Sequence, residues 1–275
     1  MQQILVPTDF TARAKRAVDY ALALAKQHGA RIHLLHVAVL PPKLLMDLSY
    51  APGSEALLSL RRESEDALHR EAEVIEGSGV RCVIAVGDGS VDGAVSDYVD
   101  ANMIDLGVIG TRRASRLARL VFASTSDRIL KKVWRPIVVV PPKASHGGGS
   151  IVVAYDFSNS AKRSVLLARA LQGSGPGTLH VVHSVSDARR AKSERALAAL
   201  IQNQVLGVAP FDNNLIQVHP VADPVCGALR VARDVDAALI CAGTDGTAHS
   251  KRALGTVARR LLAESHLPVL LACDT

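Results

Sequence analysis

The chain has 275 residues, of which 48% are hydrophobic but only 3% aromatic, and its formal net charge is +6. This length suits one large domain or two ordinary ones, and a core of Val, Leu, Ile and Ala is typical of buried parallel sheets. No apolar run approaches the roughly 20 residues that span a bilayer, and MQQILVPTD lacks the pattern of a signal peptide. We therefore expect a cytoplasmic protein with no membrane partner.

The first half alternates short apolar segments with segments of helical periodicity. In the first helix Ala14, Ala17, Val18 and Ala21 form an apolar stripe, and Thr11 lies where an N-cap belongs. Strands alternating with helices imply a parallel sheet with helices on both faces. The predicted strands lie near 3–7, 31–38, 80–86, 105–110 and 137–141, and the predicted helices near 12–28, 55–77, 90–101 and 124–133.

The pattern occurs twice along the chain. DFTARAKRAVDYALA, from Asp9, matches DFSNSAKRSVLLARA, from Asp156, and His36 and His183 are related by the same offset, which suggests paired structural histidines. Between the copies, KASHGGGS has the composition of a flexible linker. We predict a first domain over 1–143, a linker over 144–150 and a second domain over 151–275.

The positive charge permits anionic partners, but no aromatic platform or nucleic-acid-binding motif accompanies it, so no nucleic-acid partner is expected. The four cysteines show no CxxC and no metal-like spacing with histidine, so no metal site is predicted. GxSxG, HExxH and Walker motifs are absent, and no general base for ATP hydrolysis is visible. No catalytic residue is assigned, and at most weak ATP hydrolysis is expected.

Ligands of open parallel α/β sheets bind beyond the carboxyl ends of the strands, near the switch in strand order. Asp9 and Asp156 follow the first strand of each copy. A carboxylate there could accept hydrogen bonds from ribose hydroxyls, or it could support the N-terminus of the following helix. The sequence pattern alone leaves both roles open.

The second copy has a glycine-rich stretch, GTDGTAHSKRALGT, after its fourth strand. Gly243, Gly246 and Gly255 would let backbone N–H groups approach an anion, and Thr256 would open a helix whose N-terminus attracts phosphate. A phosphate loop and a plain surface turn are both consistent with this spacing.

The first copy has a counterpart of this loop that is one residue longer and differs in its residues. Gly110 and Ser124 are retained, whereas Arg113 and Ala123 stand where the second and third glycines would be. A side chain at 113 would obstruct close backbone approach, although an arginine could contact a phosphate directly. Ala123 lacks the freedom of glycine to adopt positive φ.

Both halves resemble universal stress protein domains, through ILVPTDF, ARIHLLHV, LGVIGTRR and RPIVVVPP in the first and IVVAYDFS, TLHVVHSV, LICAGTDG and LPVLLA in the second. The resemblance covers essentially the whole chain. It implies two tandem flavodoxin-like α/β domains of the adenine nucleotide alpha hydrolase-like type, each a five-stranded parallel sheet between helices. It also implies pairing between the last strands of the two copies, a homodimer and an unidentified regulatory protein partner.

In this family a G-x2-G-x9-G-(S/T) loop binds ATP phosphates, and the Asp after strand one holds the adenosine. The second copy matches at Asp156, Gly243, Gly246, Gly255 and Thr256, with a spacer of eight residues instead of nine. The first copy matches at its aspartate, its first glycine and its hydroxyl, with the full spacer. The resemblance implies ATP or AMP as ligand, with or without Mg²⁺, and favours the second copy.

Two classes of function follow. The first is a tandem, adenine-nucleotide-binding regulator of the stress response. The alternative is a scaffold that binds other proteins and whose phosphate loops no longer hold nucleotide.

Overall fold

The computed structural model of the protein describes residues 1–38, 55–111, 125–132, 135–142, 144, 149–172, 177–185, 203, 216–244 and 254–273. The chain divides into two compact units. One comprises Met1–Gly110 and Val121–Val133, and the other comprises Thr111–Leu120 and Trp134–Thr275.

The first unit has the strand–helix alternation that the sequence predicts. Helices α1 and α2 begin and end at the predicted residues, and the other boundaries agree within about two residues. The elements are β1 (Gln3–Pro7), α1 (Ala12–His28), β2 (Arg31–Val37), α2 (Glu55–Gly77), β3 (Cys82–Gly87), α3 (Val91–Ala101), β4 (Leu106–Gly110) and α4 (Thr125–Lys132).

The four strands described in this unit are parallel and run in the order β3-β2-β1-β4. Strand β1 lies between β2 and β4, so the strand order reverses beside it. Its residues Ile4, Leu5 and Val6 are essentially inaccessible to solvent, as expected for a central strand covered on both faces. The carboxyl end of β1 is therefore the place where a ligand cleft is expected.

Helix α1 shows how local sequence fixes these elements. Thr11 is its N-cap and accepts a hydrogen bond from the Ala14 backbone N–H, as predicted. Gly29 ends it in the left-handed conformation, with φ of 63°, which favours glycine. The apolar stripe between these ends is buried, including Ala17 and Ala21 at 0% exposure.

In the part of the second unit that the structure describes, six strands run in the order β5-β10-β9-β6-β7-β8. Strand β5 pairs antiparallel with β10 through Val138 and Leu270, and the other pairings described are parallel. The elements are β5 (Ile137–Val140), β6 (Ile151–Ala154), α5 (Asn159–Gln172), β7 (Leu179–Ser184), β8 (Ile216–Val221), α6 (Pro224–Asp234), β9 (Leu239–Gly243), α7 (Thr256–Glu264) and β10 (Val269–Ala272).

The predicted class is confirmed, since each copy of the repeat contributes five strands to α/β units whose sheets are mostly parallel. The expected pairing between the last strands of the two copies is also present. Because β5 pairs with β10, it falls in the second compact unit, although it lies in the first copy of the repeat. The domain boundaries at 143 and 151 stay a prediction. No helix in the described ranges is long and apolar enough to cross a membrane.

Candidate functional site

A tight turn joins the first strand to the first helix in each copy. Oδ1 of Asp9 accepts hydrogen bonds from the backbone N–H of Thr11, at 3.1 Å, and from the Thr11 hydroxyl. Between them Phe10 has a φ of 57°, in the left-handed region. Asp9 therefore organises the turn, whereas the helix cap itself is Thr11.

The second copy repeats this geometry. Oδ1 of Asp156 accepts from the backbone N–H of Ser158 at 3.0 Å and from its hydroxyl, and Phe157 has a φ of 68°. The Ser158 hydroxyl then accepts from the backbone N–H of Ala161 at 3.1 Å, which makes it the predicted cap. In both turns the second carboxylate oxygen is not needed for the turn.

A histidine on the second strand supports each turn. His36 Nδ1 lies 2.9 Å from the carbonyl oxygen of Thr8, so it carries a proton and donates it, because a carbonyl can only accept. The Phe10 ring lies 4.7 Å from the His36 ring, measured between centroids. His183 makes the equivalent contact to the Tyr155 carbonyl at 2.8 Å. The prediction of paired structural histidines is confirmed.

The first copy has a further support that sequence reasoning missed. The Thr8 hydroxyl accepts from the backbone N–H of Phe10 at 3.1 Å and donates to Oε2 of Glu71 at 3.3 Å. Burial raises the pKa of Glu71, with the hydrogen bond from Thr8 acting against it. Glu71 lies on α2, 63 residues further along the chain, so only the fold reveals this contact.

The glycine at the end of the fourth strand allows a close helix approach in both copies. A Cβ at Gly110 would lie 2.7 Å from the carbonyl carbon of Arg13, in the first turn of α1. A Cβ at Gly243 would lie 2.9 Å from the Cβ of Ser160 and 3.1 Å from the backbone nitrogen of Ala161. Packing alone therefore requires these two glycines, whatever else they do.

The two ends of the second copy's glycine-rich loop are joined directly. The backbone N–H of Gly255 donates to the carbonyl of Thr244 at 2.7 Å, and Thr256 opens helix α7 with an exposed side chain. Gly255 has a φ of −57°, which any residue can adopt, so the positive φ suggested by the sequence is not found there.

In the first unit a cavity of about 360 Å³ opens beyond the carboxyl ends of the central strands. Asp9 and Gly110 both line it, as the sequence predicts for a ligand site. Arg13 lines it too, with Nη2 3.3 Å from Oδ2 of Asp9, and the His36 ring and Thr125 contribute to the wall. The cavity therefore presents a carboxylate, a guanidinium and the first residue of helix α4.

In the second copy, two serines link Asp156 to Gly243. The Ser158 hydroxyl, which bonds Asp156, lies 3.2 Å from the Ser160 hydroxyl, and Ser160 packs against Gly243. Gly246 in this copy, and Arg113, Ala123 and Ser124 in the first, lie outside the described residues. Over the described part of the chain, no group of three His, Cys, Asp or Glu side chains could hold a metal ion.

Sequence reasoning missed Arg13 and Thr125 as residues lining the cavity. A signal for Arg13 was present, because Asp9 precedes it by only four residues across the strand-to-helix turn, close enough for an ion pair. Thr125 follows the predicted hydroxyl position by one residue, and only the fold shows that it lines the cavity.

Two α/β units with open, mostly parallel sheets, the first with a cavity beyond the carboxyl ends of its strands, define the class of open-sheet α/β proteins. The model of the universal stress protein family matches residues 1–141 and 149–272. The chain therefore belongs to the universal stress protein family and contains two copies of its domain.

Individual relatives agree with this assignment. Universal stress protein MJ0531 of Methanocaldococcus jannaschii is 26% identical over 141 residues, which is 50% of this chain and 81% of the relative. Universal stress protein YxiE of Bacillus subtilis is 24% identical over 144 residues, 50% of this chain and 97% of the relative. Each of these relatives aligns with half of the chain.

A solved universal stress protein from Archaeoglobus fulgidus DSM 4304 is similar over 99% of this chain and 98% of its own, with a TM-score of 0.75 and 22% identity. A Pseudomonas aeruginosa PAO1 protein, PA1789, covers 100% of this chain with a TM-score of 0.68 and 16% identity. At these identities the similarity shows a shared fold.

Proposed function

We propose that this protein is a regulator of the stress response that binds an adenine nucleotide, ATP or AMP, in the cytoplasm. The observation that carries the proposal is the cavity of about 360 Å³ in the first unit, which Asp9 and Gly110 line together. Its position beside the reversal of strand order is where open α/β sheets bind their ligands.

The residues that line the cavity fit a nucleotide. Its volume lies in the range of about 300–1,000 Å³ that small-molecule sites occupy. The Asp9 side chain is 56% exposed, and its Oδ2 can accept hydrogen bonds from ribose hydroxyls while Oδ1 holds the turn. The hydroxyl of Thr125 and the N-terminus of α4 would face the phosphates, since helix N-termini attract anions.

The second copy is proposed as a further nucleotide site, and the sequence pattern favours it. Asp156 has the same turn as Asp9, and the joined ends of the glycine-rich loop fix the entry to α7 beside Thr244. Gly243, Gly255 and Thr256 would approach the phosphates from that loop. Matched variants of the two copies show which copy binds the nucleotide more tightly.

A scaffold that binds other proteins remains the second candidate function. The observation that favours it is the packing of α1 on Gly110 and of α5 on Gly243, which explains both glycines without a ligand. A glycine kept for packing would persist in a domain that no longer binds nucleotide.

Equilibrium binding of labelled ATP to the full chain, with Asp9→Asn and Asp156→Asn as a matched pair, tests the proposal. An asparagine can keep Oδ1 on the N–H of residue 11 or 158, but its NH2 group cannot accept from a ribose hydroxyl. Loss of a charged acceptor is expected to weaken binding by about tenfold or more in the copy that binds ATP.

The stoichiometry and the two variants give separate results. A loss of ATP affinity in Asp9→Asn alone assigns the nucleotide to the first copy. A loss of ATP affinity in Asp156→Asn alone assigns it to the second. An unmodified protein that binds no ATP or AMP up to millimolar concentration contradicts the proposal and favours the scaffold. Unfolding midpoints close to that of the unmodified protein would show that both variants remain folded.

A further inference from the structure

We propose that Arg13 makes the first-copy cleft selective for phosphorylated ligands over the bare nucleoside, by contacting a phosphate group with its guanidinium. This inference rests on the proposed nucleotide function. It concerns one side chain of the cavity, and the equivalent position of the second copy holds Ser160.

The backbone of Arg13 is fixed at the edge of the cavity. Its carbonyl packs against Gly110, and it lies two residues after the Thr11 cap, in the first turn of α1. The side chain lines the cavity with 29% of its surface exposed. It is therefore held near the ligand position from both ends, by its backbone and by Asp9.

The guanidinium has donors to spare for a phosphate. Among the described residues, only its Nη2 makes a hydrogen bond, to Oδ2 of Asp9 at 3.3 Å. An arginine has five N–H donors in a planar fork that matches the geometry of phosphate oxygens. Arg13 can thus hold an anion while it remains beside the carboxylate that would contact the ribose.

The charge of the cavity supports the same conclusion. A carboxylate alone at this position would repel a phosphate, and Arg13 formally neutralises Asp9. The second copy has Ser160 at the equivalent position, with 2% of its surface exposed and packed against Gly243. The two copies should therefore differ in how strongly they prefer a phosphorylated ligand to adenosine.

An exposed ion pair between residues four apart in sequence is also a common surface feature, worth about 1 kcal/mol or less. A purely structural role would affect adenosine and ATP alike. The measurement that separates the two roles is the ratio of ATP affinity to adenosine affinity.

The experiment is calorimetric titration of adenosine, AMP and ATP into the full chain carrying Asp156→Asn, so that the first copy is observed. Arg13→Ser introduces the residue of the second copy, and Arg13→Gln removes the charge while keeping a long side chain. Lys15→Ser is the matched control, because Lys15 lies on the same helix, does not line the cavity and is paired with Asp19.

Arg13→Ser and Arg13→Gln are expected to lower ATP affinity by about tenfold or more, with AMP falling less and adenosine changing by less than about twofold. Lys15→Ser should leave the ratio unchanged. Equal losses for adenosine and ATP, or no loss, overturn the role of Arg13 and leave the nucleotide function standing. A chain without the variants that binds neither ATP nor adenosine overturns both. If Arg13→Ser does not fold, Arg13→Gln decides.

Discussion

Arg260 on α7 donates a hydrogen bond to Asp223, the N-cap of α6, with 2.8 Å between Nη1 and Oδ2. The other oxygen of Asp223 accepts from the backbone N–H of Cys226 at 2.7 Å. In the first copy the corresponding arginine, Arg128, lies 3.6 Å from Asp92 instead. Both copies thus join the same two helices by an arginine and an acidic residue, with the acidic residue at a different position.

This contact predicts a stability that depends on pH. The Cys226 N–H and then Arg260 lower the pKa of Asp223 to about 2, from a usual value of 3.8. The stabilisation is therefore complete above about pH 4 and is lost as the pH falls towards 2. Because both side chains are exposed, we expect it to be about 1 kcal/mol or less.

Asp223→Asn tests this prediction, since asparagine keeps an N-cap oxygen and removes the charge. Its denaturation midpoint should lie below that of the unmodified protein at pH 7, and the two should converge between pH 4 and pH 2. Asp223→Ala should cost about 1 kcal/mol more at pH 7 because it also removes the cap. A constant difference at every pH would contradict the assigned charge effect.

Gly110 and Gly243 are predicted to be intolerant of even one methyl group. Gly110→Ala should lower stability by about 1–3 kcal/mol, because the added Cβ meets the backbone carbonyl of Arg13, which cannot rotate away. Gly243→Ala should cost less, because its closest contact would be the Ser160 hydroxyl, which can rotate, while the nearest backbone atom, the nitrogen of Ala161, is 3.1 Å away.

Gly77→Ala is the control, as a Cβ there would have nothing within 4 Å. It should change stability by no more than about 0.5 kcal/mol. The urea midpoints of the three variants show which alanine destabilises the protein most. If Gly110→Ala is tolerated as well as Gly77→Ala, helix α1 does not approach strand β4 as closely as described.

Glu71→Gln should stabilise the protein at neutral pH. Burial raises the pKa of Glu71, so folding holds a carboxylate where its charge is disfavoured, and this cost grows as the pH rises above the usual value of 4.5. A glutamine can still accept from the Thr8 hydroxyl. The gain in midpoint should be present at pH 7 and vanish below about pH 4. A lower midpoint at pH 7 would mean that the ionised group is net stabilising.

The cysteines should differ in reactivity with a thiol reagent. Cys226 is exposed, whereas Cys241 and Cys273 are buried, and Cys82 is partly buried. Burial raises the pKa of Cys82 to about 12 and raises that of Cys241 further, which leaves little thiolate. One fast-reacting thiol per native chain is expected, and Cys226→Ser should abolish it. Fast reaction of a second thiol would contradict this burial.

Much of the fold could be predicted from the sequence because it depends on local patterns. The apolar stripe between Thr11 and Gly29 fixes helix α1, and the repeat from Asp9 to Asp156 shows that the pattern occurs twice. The cap at Ser158 follows from the same repeat, and so do the equivalent positions of His36 and His183. These features depend on residues close in sequence, or on a comparison of one half with the other.

The candidate site was only partly predictable, because its geometry depends on contacts between distant residues. The sequence pointed to Asp9 and Gly110 as neighbours, but it did not show that Gly110 is also needed for the approach of α1, or that Glu71 fixes Thr8. It suggested a positive φ at Gly255, whereas this residue has a negative φ and its N–H bonds the carbonyl of Thr244.

The sequence by itself determined the alternation of strands and helices, the duplication and the family. Periodicity, helix caps and a repeated motif each depend on residues that are close in sequence. Only the tertiary structure decided that α1 packs against Gly110 and that Arg13 lies with Asp9 in one cavity. Strand order brings those groups together, and strand order depends on which surfaces bury one another across the whole chain.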